Sequence, residues 1–408
     1  MANLDDELRD VEYIPEPTDR NILSAVDPSV LGYEELWRSE VMGWAPVIPE
    51  PIPRRNKRRT SALNLAMFAI VVSVMVLLWE NDLLIVELPL PDSEWAFEST
   101  DIRTLQEAGL TGFGIRLCMV DTGIDAEHEA FAAANIQFHD LVGQSAIPVE
   151  YGAIAHGTLM AGILLSTTHQ QGIAPNVTFA MVAALQDDGT GDNIGDEEVV
   201  ADAIEWCQFT FKADIISLSL GGQSTSGEAR EGASVSATRQ ATDAGIFVVA
   251  AAGNDGGVDD DGDVSAPGNV RLAISVGAST ENGNVWENSS IGSQFDSNGQ
   301  PRLNPHKKPE IIAPGHKIIS TGESNSWYSS SGTSDSTVFV AGTLALILEA
   351  HPELKPSNHE NSTCLEAVKT ALMSSSNGGG TAHDSSRGYG LLNAERWLNQ
   401  VKDLVECV

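Results

Sequence analysis

The chain has 408 residues, more than one ordinary domain needs, and an unremarkable apolar content of 42%. One large globular domain with added segments is therefore the expectation. The formal net charge of −34 makes a surface that repels phosphate backbones, which excludes nucleic acid as a partner. The same acidic excess reads either as adaptation to salt, which screens it, or simply as a soluble acidic surface.

Residues 1–53 are acidic and carry Pro15, Pro17, Pro46, Pro49, Pro51 and Pro53 without a sustained apolar period. That composition predicts a largely disordered tail with at most a short helix near residues 33–41. Within it, Leu31, Tyr33, Leu36, Trp37 and Trp44 are either a docking motif or ordinary solvated side chains. The tail, taken as residues 1–60, ends on a basic cluster of Arg54, Arg55, Lys57, Arg58 and Arg59.

Residues 61–79 carry no charge and no polar face. At about 1.5 Å per residue such a helix nearly crosses a hydrocarbon core of about 30 Å. Trp79 marks an interface, and Glu80 and Asp82 follow it. Cations before the span and carboxylates after it predict a single-pass protein of the cell membrane, its N-terminus cytoplasmic and its C-terminal domain outside. The span is too long and starts too late for a cleaved signal peptide. Residues 80–100, with Pro89 and Pro91, read as a juxtamembrane linker.

From residue 101 to about 400 the pattern is α/β, followed by a short tail at 401–408. Strands are predicted at 115–120, 177–184, 215–220, 246–251 and 272–276. Helices are predicted at 156–165, 196–211, 228–244 and 333–349. Strands separated by helices imply a mainly parallel sheet with right-handed crossovers.

Three glycine-bearing segments stand in this part: Val120-Asp121-Thr122-Gly123, His156-Gly157-Thr158 and Gly332-Thr333-Ser334. A carboxylate, an imidazole and a hydroxyl are the components of an activated nucleophile. The base takes the hydroxyl proton, and the carboxylate fixes the tautomer of the base. A fourth segment, 250–254, ends in Asn254 after an apolar run, and an amide there can donate to a developing oxyanion.

At these segments, and at Gly172-Ile173-Ala174-Pro175, Ser219-Leu220-Gly221-Gly222 and Ile312-Ala313-Pro314-Gly315, the chain resembles the subtilisin-like serine proteases, or subtilases. The likeness runs from about Gly109 to Leu348. It implies a subtilisin-like three-layer α/β fold with a mainly parallel central sheet, here preceded by one transmembrane helix. It also implies a serine endopeptidase acting on proteins or peptides, with Asp121, His156 and Ser334 as the triad and Asn254 as oxyanion donor. By the same resemblance, substrate backbone would lie between Ser219, Leu220 and Gly221 on one side and Gly189 and Gly191 on the other, near Ala252 and Gly253. A catalytically impaired domain used as a membrane-anchored binding or scaffold module is the alternative.

The chain departs from the family pattern at four places. Asp335 stands where methionine is usual, Val338 where proline is usual, and Leu159 in place of a second histidine. Between the span and Gly109 there is no room for a folded prodomain. If ionised, Asp335 opposes the developing oxyanion unless it points away, to solvent or to a basic residue on the leaving side of the substrate. Loop 166–171 lacks the carboxylates of the family's calcium loop, so that site is not carried over. No cofactor is required for the chemistry, but a structural calcium is compatible with Asp259, Asp261 and Asp263, which otherwise form a solvated acidic loop. Cys118 and Cys207 read as small buried hydrophobes. Cys364 and Cys407 could pair outside the cell.

Overall fold

The structure is a computed structural model that describes residues 57–80, 92–222, 232–258, 260–358, 362–376 and 382–402. The chain divides into two compact units, Met1–Leu88 and Pro89–Val408. The described part of the first is one helix, α1 (Lys57–Glu80), whose side chains from 62 to 77 are exposed. Among the described residues no helix is long and apolar enough to cross a membrane. The tail and its Tyr33, Trp37 and Trp44 lie outside the described residues.

The second unit begins earlier than residue 101. Helix α2 (Glu94–Ser99) buries Ala96 and Phe97, and Phe97 meets Phe339 with ring centroids 5.1 Å apart. Ser93 Oγ accepts from Ile319 N at 2.5 Å. Residues 92–100, expected in a linker, are therefore part of the folded unit. A short α3 (Ile102–Glu107) follows.

Seven parallel strands form the central sheet: β1 (Arg116–Asp121), β2 (Ile136–Asp140), β3 (Thr178–Ala183), β6 (Ile215–Leu218), β7 (Phe247–Ala251), β8 (Ile274–Ser279) and β9 (Ile311–Pro314). Their spatial order is β2-β3-β1-β6-β7-β8-β9. Two small antiparallel pairs stand apart, β4 (Gln186–Asp187) with β5 (Asn193–Ile194), and β10 (His316–Thr321) with β11 (Trp327–Ser331). Successive side chains of a strand point to opposite faces, and the two cores follow from that. Leu117 and Met119 join a core with Phe179, Met181, Phe247 and Val249, whereas Cys118 and Val120 join another with Ala180, Val182, Val248 and Ala250. The first core is covered by α4 (His156–Leu165), α7 (Thr333–Ala350), α8 (Thr363–Ser375) and α9 (Ala394–Val401). The second is covered by α5 (Glu197–Glu205) and α6 (Ala233–Asp243). Helix α7 is buried from Thr333 through Leu348, as befits a helix apolar on all sides.

The predicted helix at 196–211 is two pieces. Helix α5 gives way to a π-helical stretch, Trp206–Phe211, in which Phe211 turns into the second core. This stretch brings Cys207 to Cys118, Cα to Cα 5.8 Å, and the two form a disulfide across 89 residues of sequence. Both cysteines are buried, as expected, but they are bridge halves and not separate hydrophobes. The separation hides a contact that only the packing of α5 on the sheet creates. Cys364 is also disulfide-bonded, and its expected partner Cys407 lies outside the described residues.

A second buried polar cluster lies behind β8 and β9. Glu310 receives Lys369 Nζ at 2.6 Å and Lys308 Nζ at 2.9 Å on one oxygen. Its other oxygen accepts from Ser275 N at 2.8 Å. The two ammonium groups also donate to the Ala273 carbonyl, at 2.7 and 2.8 Å, and Lys369 donates to Arg271 O at 2.8 Å.

Candidate active site

The site lies at the carboxyl ends of β1, β6 and β7 and the starts of α4 and α7, where ligands bind in open α/β sheets. Asp121 ends β1 and is wholly buried. His156 opens α4, and its Nδ1 lies 2.7 Å from Asp121 Oδ1. This approach requires glycine next to the histidine, because a Cβ on Gly157 would strike the Gly123 carbonyl.

The threonines of the two motifs explain the register. Thr122 N donates to Asp121 Oδ1 at 2.7 Å, and Thr122 Oγ1 accepts from Gly157 N at 2.8 Å. Glu150 closes the bracket. One of its oxygens accepts from Thr122 Oγ1 and Gly152 N, and the other from Thr158 N at 2.8 Å and Thr158 Oγ1 at 2.7 Å. Sequence reasoning missed Glu150. The available signal was a carboxylate shortly before a motif whose threonine needs an acceptor.

Ser334 sits in the first turn of α7 and is 8% exposed. Its Oγ donates to Ser219 O at 3.2 Å, and Ser219 Oγ donates to Ser334 O at 3.2 Å. The nucleophile candidate is therefore joined to the end of β6, and among the described residues no hydrogen bond joins it to His156. Such contacts are often long without substrate and tighten on binding. Asn254 is exposed, but its carbonyl end is fixed. Oδ1 accepts from Thr333 N at 2.9 Å and Thr333 Oγ1 at 3.0 Å. Thr333 Oγ1 in turn accepts from Gly253 N at 3.2 Å. With Oδ1 held, Nδ2 is the end left to donate, beside the N-terminus of α7.

Leu220 and Gly221 lie just past Leu218, the last paired residue of β6. Gly189 and Gly191 occupy the tip between β4 and β5, at φ +83 and +103, with open space where a side chain would be. Ala252 N and O are bonded to Val276 O and Ser265 N, and Gly253 N and O to Thr333 Oγ1 and Ser290 N. Their main-chain groups are spent within the fold, so they form a wall and not a pairing edge.

Asp335 does not face solvent. It is 1% exposed and accepts a hydrogen bond from Ser330 Oγ on β11. Burial raises its pKa to about 7, against the opposing pull of the Ser330 hydroxyl and of His156. For His156, burial alone would disfavour the imidazolium. The charge and hydrogen bond of Asp121, followed by Asp335 and Glu150, outweigh it and raise the pKa to about 9. Val338 and Leu159 are core side chains, so neither departure touches the reacting groups.

The described carboxylates of the acidic loop have partners within the fold. Asp259 lies outside the described residues. Asp263 pairs with Arg302 Nη2 at 3.1 Å and accepts from Ser293 N and Val264 N, while Asp261 accepts from Asp263 N. Among the described residues no group of three His, Cys, Asp or Glu could hold a metal ion.

An Asp–His pair at one strand end of a parallel sheet and a serine at a buried helix start are the parts that a hydroxyl nucleophile requires. Residues 112–390 match the sequence profile of the subtilase family, Peptidase_S8. The chain belongs to that family of serine-type endopeptidases. It is 32% identical over 312 residues to serine protease AprX of Bacillus subtilis (strain 168), spanning 70% of this chain and 66% of AprX. It is 32% identical over 267 residues to subtilisin DY of Bacillus licheniformis, spanning 63% of this chain and 85% of that protein. The structure of the prenylagaramide maturation protease PagA superposes with a TM-score of 0.56 over 74% of this chain and 98% of PagA, at 24% identity, a likeness of fold. Subtilases need no cofactor for catalysis.

Proposed function

We propose that this protein is a serine endopeptidase that cleaves proteins or peptides with Asp121, His156 and Ser334 as its triad and Asn254 as oxyanion donor. The observation that carries the reading is the 2.7 Å contact from His156 Nδ1 to Asp121 Oδ1 beside a buried serine at a helix start. Asp121 holds the Nδ1 proton, so Nε2 presents its lone pair to the Ser334 hydroxyl. Oγ attacks the scissile carbonyl as its proton passes to Nε2. The oxyanion then receives the Asn254 amide and the Ser334 N–H, with the α7 dipole behind them. His156 returns the proton to the leaving amine, and water repeats the cycle on the acyl-enzyme. Leu220 and Gly221 offer the substrate an edge on one side, and Gly189 and Gly191 on the other. No cofactor enters these steps. The residues described around Asp261 and Asp263 do not fit a structural calcium.

The same proposal places the peptidase outside the cell, tethered by residues 61–79 with residues 1–60 on the cytoplasmic side. Two observations support it. Leu63, Leu65, Phe68, Ile70 and Met75 on α1 are each about three-fifths or more exposed, which an aqueous surface does not favour. The Cys118–Cys207 disulfide belongs to an oxidising compartment. A fluorophosphonate probe should label the wild type and not Ser334→Ala. In intact cells, added protease should reach the labelled domain but leave residues 1–53 intact. Labelling of Ser334→Ala would remove the serine from its role, and protection of the domain would reverse the topology.

A further inference from the structure

Ile154 and Ala155, the two residues before His156, both have left-handed backbone, at φ +53 and +54. Glycine adopts that region freely. A β-branched residue there is an outlier, and such backbone persists only where the surroundings impose it. The Ile154 side chain does not impose it, being 70% exposed. The segments on either side do. Downstream, Gly157 N is held by Thr122 Oγ1 and Thr158 N by Glu150. Upstream, Tyr151 N donates to Thr122 O and Gly152 N to Glu150. Ala153, next to the turn, donates its N–H at 2.8 Å to Oδ1 of Asn193 on β5. Asp187 on β4, the register partner of Asn193, donates its own N–H to Tyr151 O at 2.9 Å. The base of the β4–β5 hairpin thus grips residues 151–153 at two points, while its tip carries Gly189 and Gly191.

We propose that Asn193 is a positioning residue that couples the substrate edge to the catalytic base: its Oδ1, on Ala153 N, keeps the Ile154–Ala155 turn wound, and the turn sets where His156 stands. The proposal rests on the reading of Asp121, His156 and Ser334 as the triad and of the β4–β5 tip as a substrate edge. The bond is local, but the turn has no slack to absorb its loss. Without it Ile154 relaxes toward ordinary backbone, and the first residue of α4 moves with it. A small displacement of a reacting group is costly. The coupling also runs the other way. A peptide seated along residues 189–191 orders the hairpin, which firms the grip of Asn193 on Ala153. Binding energy gathered far from the cleaved bond then appears in kcat and not only in KM.

The test is steady-state kinetics of the full chain in detergent micelles, with turnover counted per site titrated by a fluorophosphonate probe. Two chromogenic substrates are compared, a peptide long enough to reach the β4–β5 tip and the same peptide cut back to the residue at the cleaved bond. In wild type the long peptide should have the higher kcat. In Asn193→Ala its kcat should fall between about ten- and a hundredfold, and the short peptide should lose less, so the ratio of the two narrows. Asn193→Asp, which keeps an oxygen for Ala153 N, should recover most of the loss. Adding Ile154→Gly to Asn193→Ala should recover part of it, because glycine enters the left-handed turn without a clamp. A raised KM at unchanged kcat overturns the proposal and leaves Asn193 as a piece of the substrate edge. A ratio of long to short kcat that is unity in wild type, or the same in Asn193→Ala, overturns it too. So does a double variant no better than Asn193→Ala, the mark of a merely structural residue. Turnover that survives Ser334→Ala would instead defeat the triad reading, whatever the Asn193 variants show.

Discussion

Two buried charge clusters in this molecule are near inverses of each other. At the end of β1 one imidazole is paired with one buried carboxylate, Asp121, and the charges of Asp335 and Glu150 also favour its protonated form. Behind β8 and β9 one carboxylate holds two ammonium groups. They differ in what remains unmade. Lys369 has three acceptors and Glu310 Oε2 has Ser275 N as well as Lys308, so the second cluster closes on itself. In the first, Ser334 is bonded to the end of β6, Asn254 is fixed by Oδ1 with Nδ2 left to donate, and among the described residues neither Asp121 nor Asp335 forms an ion pair with lysine or arginine. A closed cluster supports the fold, whereas an open one awaits a proton and a substrate.

The sharpest way to break this contrast is Ser334→Ala. It should lower peptide hydrolysis on the order of a million-fold, the loss a subtilisin suffers without its nucleophile, with the thermal midpoint unchanged. Near-normal turnover would place the chemistry elsewhere. Asn254→Leu should come next, lowering kcat by about 10²–10³-fold, the effect known for the oxyanion amide of a subtilisin. Steady-state kinetics showing a changed KM alone would take Asn254 out of that role.

Glu310→Gln probes the closed cluster. It leaves two buried ammonium groups without their counter-charge, and breaking such a pair costs about 3–5 kcal/mol. Urea unfolding should show that loss, while active-site titration gives an unchanged turnover per folded molecule. A fall in turnover at constant stability would mean that the two clusters are coupled. Lys308→Met gives the smallest signal. Burial first, and then neighbouring cations, hold Lys308 well below the lysine range despite Glu310. The native state thus binds that proton less readily than the unfolded state, and stability rises with pH until about 10.5, where the unfolded lysine titrates. The stability of wild type relative to Lys308→Met should therefore grow between pH 7 and 10. A flat difference would mean that Lys308 keeps its proton throughout.

Much of the first cluster was legible in the sequence, and almost none of the second. Asp121, His156 and Ser334 each sit in a short motif because each must stand at a strand end or helix start beside a glycine, and local geometry leaves a local signature. Helix α4 was predicted at its observed limits, and β1, β3, β7 and α7 to within about a residue at each end. Asp335 was visible as a departure but not as a buried group, since its burial depends on β11, which no periodicity announced. Glu150, the partners Lys308 and Lys369, and the joining of Cys118 to Cys207 are contacts between distant segments. Nothing in the neighbouring residues encodes them. The docking of Phe97 on Phe339 was hidden in the same way behind two prolines that suggested a linker.

The Cys118–Cys207 bond closes a covalent ring that contains Asp121, Glu150, His156 and the exposed β4–β5 tip, while Asn254 and Ser334 lie outside it. A peptidase is always at risk from its own neighbours, and the tip at residues 188–192 is the kind of exposed, glycine-bearing turn where chains are nicked. A cut there opens the ring without releasing either piece. The strand bearing Asp121 and the helix bearing His156 lie on the same side of the cut, and the sulfurs keep the downstream half attached to them. The molecule can thus lose a peptide bond at this turn and keep Asp121, His156, Asn254 and Ser334 on one covalent body, a tolerance that lasts only while the bond stays oxidised.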